Sequence, residues 1–196
     1  MALDARYQAV PYDPLLERAM RDREAAENAI QFFSSLATSD GADSQYWDDP
    51  IWVELAPVAR QMVRERPGIL DRTFSTRAWD AVYWLLAPNR RKQEGRHPAG
   101  LAEIAVFGAE FLASGATAGQ GSPLRFVRPT TARAIADYVE NSLETAAHLF
   151  DAEAMEASGV YKGPWDREYL LDRLAQYAEL YRVAADLDEC VLVTLD

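Results

Sequence analysis

The sequence predicts an α+β fold: a single, predominantly helical domain with a small sheet formed by N-terminal, middle and C-terminal strands. Three observations lead there. Apolar residues recur at helical spacing over most of the chain, short runs at 6–12, 124–127 and 190–195 carry strand signals instead, and Pro or Gly punctuates the junctions. Strands so far apart can form a sheet only by non-local pairing, with the helices packed against it. A chain of 196 residues buries about 70% of its unfolded surface in one core and is short for two ordinary domains, so one domain over 1–196 is expected. Its 49% hydrophobic and 26% charged residues are the balance of a packed globule, not of a disordered chain.

The elements follow in order. Arg-Tyr-Gln-Ala-Val-Pro-Tyr at 6–12 reads as a strand, after which Asp13 and Pro14 are an N-cap and a first helical residue. Leu16, Met20, Ile30 and Phe33 mark a buried stripe on a helix over 14–36, and polar 37–49 is a loop. A second helix over 50–66 shows Ile51, Leu55, Val58 and Met62 on one face. Pro57 predicts that it is kinked there or starts only near Ala56. Trp79, Val82, Tyr83 and Leu86 line one face of a core helix over 76–87.

The basic run 89–98, with Arg90, Arg91, Lys92, Arg96 and His97, reads as a solvated loop. A short helix follows over 101–107, then a Gly/Ala/Ser/Thr-rich connection over 114–122. After the middle strand, Pro129 opens a helix lined by Ile135, Tyr138, Val139 and Leu143. Asp166 is the N-cap of a last helix reaching about residue 187, with Trp165 as a staple on Leu170 and a buried stripe of Leu170, Leu174, Tyr177, Ala178 and Tyr181. The closing run Cys-Val-Leu-Val-Thr-Leu alternates little, which predicts cover on both faces.

Four segments taken together resemble a known family: 70–86 with its Ala-Trp-Asp-Ala-Val-Tyr-Trp-Leu-Leu, Ala-Val-Phe-Gly-Ala-Glu at 105–110, Leu-Arg-Phe-Val-Arg-Pro at 124–129, and Val-Tyr-Lys-Gly-Pro-Trp-Asp at 160–166 before the long helix and terminal strand. Their order resembles the DUF1877 (YfbM-like) family of small bacterial proteins, over roughly 70–196. The resemblance implies one α+β domain and no established catalytic residues. Where similar proteins have Thr before the proline, this chain has Arg128, and Thr130 is expected to take over the cap.

Composition also narrows function. A formal net charge of −11 disfavours nucleic acid and anionic membranes, which need clustered Lys and Arg; solubility is its plain reading, and a basic protein partner is what the same field would steer in. The start of the chain lacks a signal-peptide pattern and no apolar run approaches the ~20 residues that span a bilayer, so a cytoplasmic location is expected by elimination. His97 and His148 accompany no nucleophile turn, Cys190 reads as a buried apolar thiol, and no Cys/His cluster or Glu-x-x-His pair could hold a metal. Gly115, Gly119 and Gly121 fit no phosphate loop, so no cofactor is expected. The acids Asp48, Asp49, Asp186, Asp188 and Glu189 are placed in solvated loops.

The distinctive feature is aromatic density at Tyr46, Trp47 and Trp52, and at Trp79, Tyr83 and Trp84, joined by Tyr161 and Trp165. Core packing is the plain reading; the functional one makes Trp79, Asp80, Tyr83, Tyr161 and Trp165 a binding site. The expected function is a non-enzymatic protein-interaction module of the immunity or regulatory kind. The alternative is a small-molecule-binding protein or enzyme with an aromatic-lined, carboxylate-containing pocket.

Overall fold

The last strand of the chain lies in the middle of the sheet. In the computed structural model, which describes residues 4–11, 16–21, 50–87, 100–113, 117 and 121–195, β5 (Glu189–Leu195) pairs antiparallel with β1 (Ala5–Pro11), from Leu195 opposite Ala5 to Glu189 opposite Pro11. Its other edge takes β4 (Arg125–Val127). β2 (Thr73–Thr76) flanks β1 and β3 (Glu110–Phe111) flanks β4, giving the order β2-β1-β5-β4-β3 with antiparallel neighbours throughout.

Both faces of β5 are covered, as its unbroken apolar run predicts. Val191 and Val193 enter the larger core with α3 (Trp79–Leu86), α4 (Leu101–Phe107), α5 (Pro129–Leu149) and α7 (Arg167–Asp186). Cys190 and Leu192 face the other way, toward Val10, Leu16, Ile69, Phe126 and Met62 of α2 (Pro50–Glu65). Leu16 immediately precedes α1 (Glu17–Arg21), and α6 (Ala152–Ala157) joins α5 to α7. Gly108, which ends α4, has φ 78°, and a Cβ there would sit 2.7 Å from the Cβ of Arg125, so only glycine lets this turn lie against β4.

Helix α7 is fastened to the sheet by hydroxyls as well as by apolar contact. The Tyr177 hydroxyl donates to the Tyr7 hydroxyl at 2.6 Å, and Tyr7 donates to the carbonyl of Val106 at 2.8 Å. Tyr181 donates to the neighbouring carbonyl of Ala105 at 2.8 Å. All three rings are fully buried, so each phenol needs such a partner. The chain of bonds ties α7, β1 and α4 together. On the wet side of α7, Arg182 bridges Asp137 and Glu140 of α5 at 2.6 and 2.7 Å.

Several expectations require correction. The sheet contains two strands beyond the three expected, β2 and β3. Thr76 ends β2 instead of opening the core helix: its hydroxyl accepts the Ala78 amide at 3.0 Å, so α3 begins at Trp79. Pro57, which is exposed, does not delay α2 to Ala56: the helix starts at Pro50 and includes the proline. The cap of α5 is Arg128, in extended conformation with no side-chain cap bond, and not Thr130, which is already helical. The Arg128 guanidinium instead forks onto Glu110 at 2.7 and 3.0 Å. Asp166 caps α7 as expected, accepting the Tyr169 amide at 2.9 Å. The rest of the helix expected over 14–36, the loop 37–49, the basic run 89–98 and most of 114–122 lie outside the described residues. No helix among the described residues is long and apolar enough to cross a membrane.

The tyrosine chain yields an ordered pair of outcomes. Tyr177→Phe removes one bond and should cost about 1 kcal/mol, whereas Tyr7→Phe strands both the Tyr177 hydroxyl and the Val106 carbonyl and should cost about 2–3 kcal/mol, read by urea unfolding. Burial is the largest cause raising all three phenol pKa values. Since the folded-state values lie above the unfolded one, stability should be intact below the ordinary phenol range and fall as pH rises above about 10. An alkaline titration of the folded fraction in which Tyr177→Phe and Tyr181→Phe together leave the decline unchanged would contradict this.

Candidate functional site

The five residues singled out by sequence do come together, around the loop that joins α6 to α7. Trp79 and Asp80 open α3, and Tyr83 lies one turn further on. The Trp79 and Tyr161 rings stack with centroids 5.7 Å apart, and Phe107 of α4 meets Trp79 and Tyr83 edge-on at 5.8 and 5.3 Å. Asp80 is buried and its Oδ2 accepts the Tyr161 amide at 2.7 Å, while the Trp165 indole N–H donates to the Tyr161 carbonyl at 3.0 Å. Both backbone groups of Tyr161 are therefore held by side chains from the set.

The cluster grades from interior to surface. Trp79 and Tyr83 are buried, Tyr161 and Trp165 are half-buried, and Trp165 stacks almost parallel on Tyr169, at 5.9 Å and 7°. Tyr169 keeps 38% of its surface exposed, and the Arg173 guanidinium lies 4.9 Å from its ring centroid. Arg173 also lies 5.7 Å from the ring of Phe74 in β2, so the outward file Trp165, Tyr169, Arg173 leads along α7 toward the sheet edge. There, Asp71, Arg72, Thr73 and Phe74 on one side, and Gln176, Glu179, Leu180 and Val183 of α7 on the other, enclose a groove of about 330 Å³.

With the fold and this surface defined, comparison with known proteins becomes informative. The domain of unknown function DUF1877 matches the sequence over residues 7–194. The chain belongs to the DUF1877 family. A solved structure similar to it is the crystal structure of YfbM, a protein of unknown function from Escherichia coli, with a TM-score of 0.51 and 11% identity over 98% of this chain and 99% of that one. At that identity the likeness is one of fold. No curated protein matches the sequence.

This DUF1877 chain also carries a buried ion cluster that sequence reasoning missed. Glu189, expected in a solvated loop, is the first residue of β5 and is wholly buried. Its Oε1 accepts from Arg72 at 2.9 Å and from Arg66 at 3.3 Å; among the described residues its Oε2 has no partner. Burial raises the Glu189 pKa, and the two guanidiniums pull it back. Arg72 thereby belongs both to the groove wall and to the anchor beneath it.

Phe74 was missed too. Thr-Phe-Ser-Thr is a β-branched and aromatic run just after Pro67-Gly68, a strand signal obscured by the helical pattern that follows it. Cys190 behaves as expected, burial pushing its thiol up to about 12. Asp186 and Asp188 are exposed, and His148 lies exposed in the last turn of α5. Among the described residues no group of three or more His, Cys, Asp or Glu side chains could hold a metal ion.

Charge deletion within the cluster should be asymmetric. Glu189→Ala leaves Arg72, whose side chain is only 16% exposed, without a counter-charge and should cost about 3 kcal/mol. Arg66→Ala removes a partner that is 40% exposed and should cost about 1 kcal/mol or less in the same denaturant titration.

Proposed function

We propose that this DUF1877 protein is a non-enzymatic protein-interaction module, of the regulatory or immunity kind, that holds a basic partner protein through the face of Trp165 and Tyr169. One observation carries the reading: Trp165, in a loop whose Tyr161 is held at both backbone groups, stacks on the part-exposed Tyr169 in the first turn of α7. Such rigid aromatic surface orders little on binding and supplies large contact area, which is why Trp and Tyr concentrate at binding hot spots. Tyr161 extends that surface inward, while Trp79, Asp80 and Tyr83 act behind it as the support that sets its position.

Charge supports the choice of partner. Around the pair the exposed acids Asp166, Glu168 and Asp172 alternate with Lys162, Arg167 and Arg173, and it is the −11 of the whole chain that steers a cationic surface toward it. No redox or group-transfer chemistry is required of any residue in this arrangement.

The test uses capture at low ionic strength from cells that express the protein natively, followed by measurement with the purified partner. Tyr169→Ala, a change at a part-exposed ring, should weaken binding about tenfold or more while leaving the unfolding transition in place. Raising salt from about 0.05 to 0.5 M should weaken it further. Recovery of no partner, or a partner whose affinity ignores Tyr169, would sink the proposal.

A further inference from the structure

Strand β2 forms one side of the sheet, and its hydrogen-bonding phase can be read from one bond. The Ala9 amide donates to the Arg72 carbonyl at 3.0 Å, and the register places Tyr7 opposite Phe74 and Ala5 opposite Thr76. In an antiparallel ladder, bonded and non-bonded positions alternate. Arg72, Phe74 and Thr76 therefore turn their backbone groups toward β1, and Thr73 and Ser75 turn theirs away from it. Both residues are exposed, and among the described residues nothing takes their outward amides and carbonyls.

That edge lies beside a preformed wall. Gln176, Glu179, Leu180 and Val183 occupy i, i+3, i+4 and i+7 of α7 and face the 330 Å³ groove that Phe74 and Arg72 close from the sheet side. Phe74 is itself fixed edge-on against the buried Tyr177 ring at 5.0 Å, so the apolar wall is rigid. An open strand edge with an adjacent groove for alternate side chains is the physical requirement for binding an extended peptide by strand addition.

We propose that the groove between β2 and α7 takes an extended, basic segment of a partner protein, added to the sheet as a strand beside Thr73 and Ser75. The outward backbone groups of those two residues bond to its main chain. Its alternate apolar side chains pack on Phe74, Leu180 and Val183. The charge of the rim selects the occupant: Asp71 and Glu179 are exposed there, whereas the Arg72 charge is countered by Glu189 and that of Arg173, which lies over Phe74, by Asp172. A second copy of this chain is disfavoured at the same edge because both copies carry −11. The proposal rests on the interaction-module reading but not on the Trp165–Tyr169 face, and its test separates the two.

The probe is a fluorescent seven-residue peptide of alternating Lys and Val, compared with its Glu/Val counterpart and with a Lys/Val peptide N-methylated at alternate amides. Binding to the full chain is followed by anisotropy, with hydrogen exchange at Thr73 and Ser75. The Lys/Val peptide should bind about tenfold or more tightly than either comparator and should protect both amides. Asp71→Lys with Glu179→Lys, both at exposed positions, should reverse the preference for Lys over Glu. Tyr169→Ala should leave peptide affinity unchanged; loss of peptide binding in that variant would place the peptide on the aromatic face and overturn the groove as its site. Equal binding of the N-methylated peptide, no binding of the Lys/Val peptide, or a dimer in which Thr73 and Ser75 are already protected without peptide would each overturn the proposal.

Discussion

The ladder between β1 and β5 is the constraint on which the remaining structure depends. It joins segments about 180 residues apart, and closing so long a loop costs on the order of 5 kcal/mol of chain entropy before any contact is made. Burial offsets that cost. Ala5, Tyr7, Ala9 and Val10 on one strand, and Cys190 through Val193 on the other, are removed almost entirely from water, and together they divide the interior into two cores. Tyr7 then extends the ladder into the helical layer, since its hydroxyl is the middle member of the chain from Tyr177 to Val106. The positions of α4 and α7 therefore follow from the position of β1.

The surface features inherit this frame. Because α7 is held over the sheet by Tyr177 and Tyr181, it sets Tyr169 against Trp165 of the α6–α7 loop at one end, and Leu180 and Val183 beside β2 at the other. Arg173 links the two by lying over both Tyr169 and Phe74. A single helix thus carries an aromatic face and one wall of a groove, and displacement of its buried tyrosines would disturb both at once.

Much of this architecture is legible in sequence, for identifiable reasons. Helix α7 has a cap residue, a continuous stripe from Leu170 to Tyr181 and a length beyond strand range, three signals that agree. Strand β5 is legible because six consecutive non-alternating residues need cover on two sides. β2 and β3 are four and two residues long and owe their existence to partners elsewhere in the chain, so local pattern says little about them. Glu189 misleads for the same reason: a carboxylate after Asp186 and Asp188 reads as solvated, and it is Arg72 and Arg66, 117 and 123 positions away, that make its burial tolerable. At the aromatic site the residue types identify the cluster, but the sense in which each ring points is a tertiary property. Trp79 and Tyr83 turn inward because α4 brings Phe107 between them.

The central place of β5 also has a consequence for biosynthesis. Translation at roughly 5–20 residues per second leaves β1 for on the order of 10–40 s before its principal neighbour emerges from the ribosome. Throughout that interval the margin of the nascent strand that β5 will cover is available to other chains, and until β2 follows the opposite margin is too. Nascent-chain chaperones that shield this first segment would have an outsized influence on yield, in contrast to proteins whose sheets grow from consecutive hairpins.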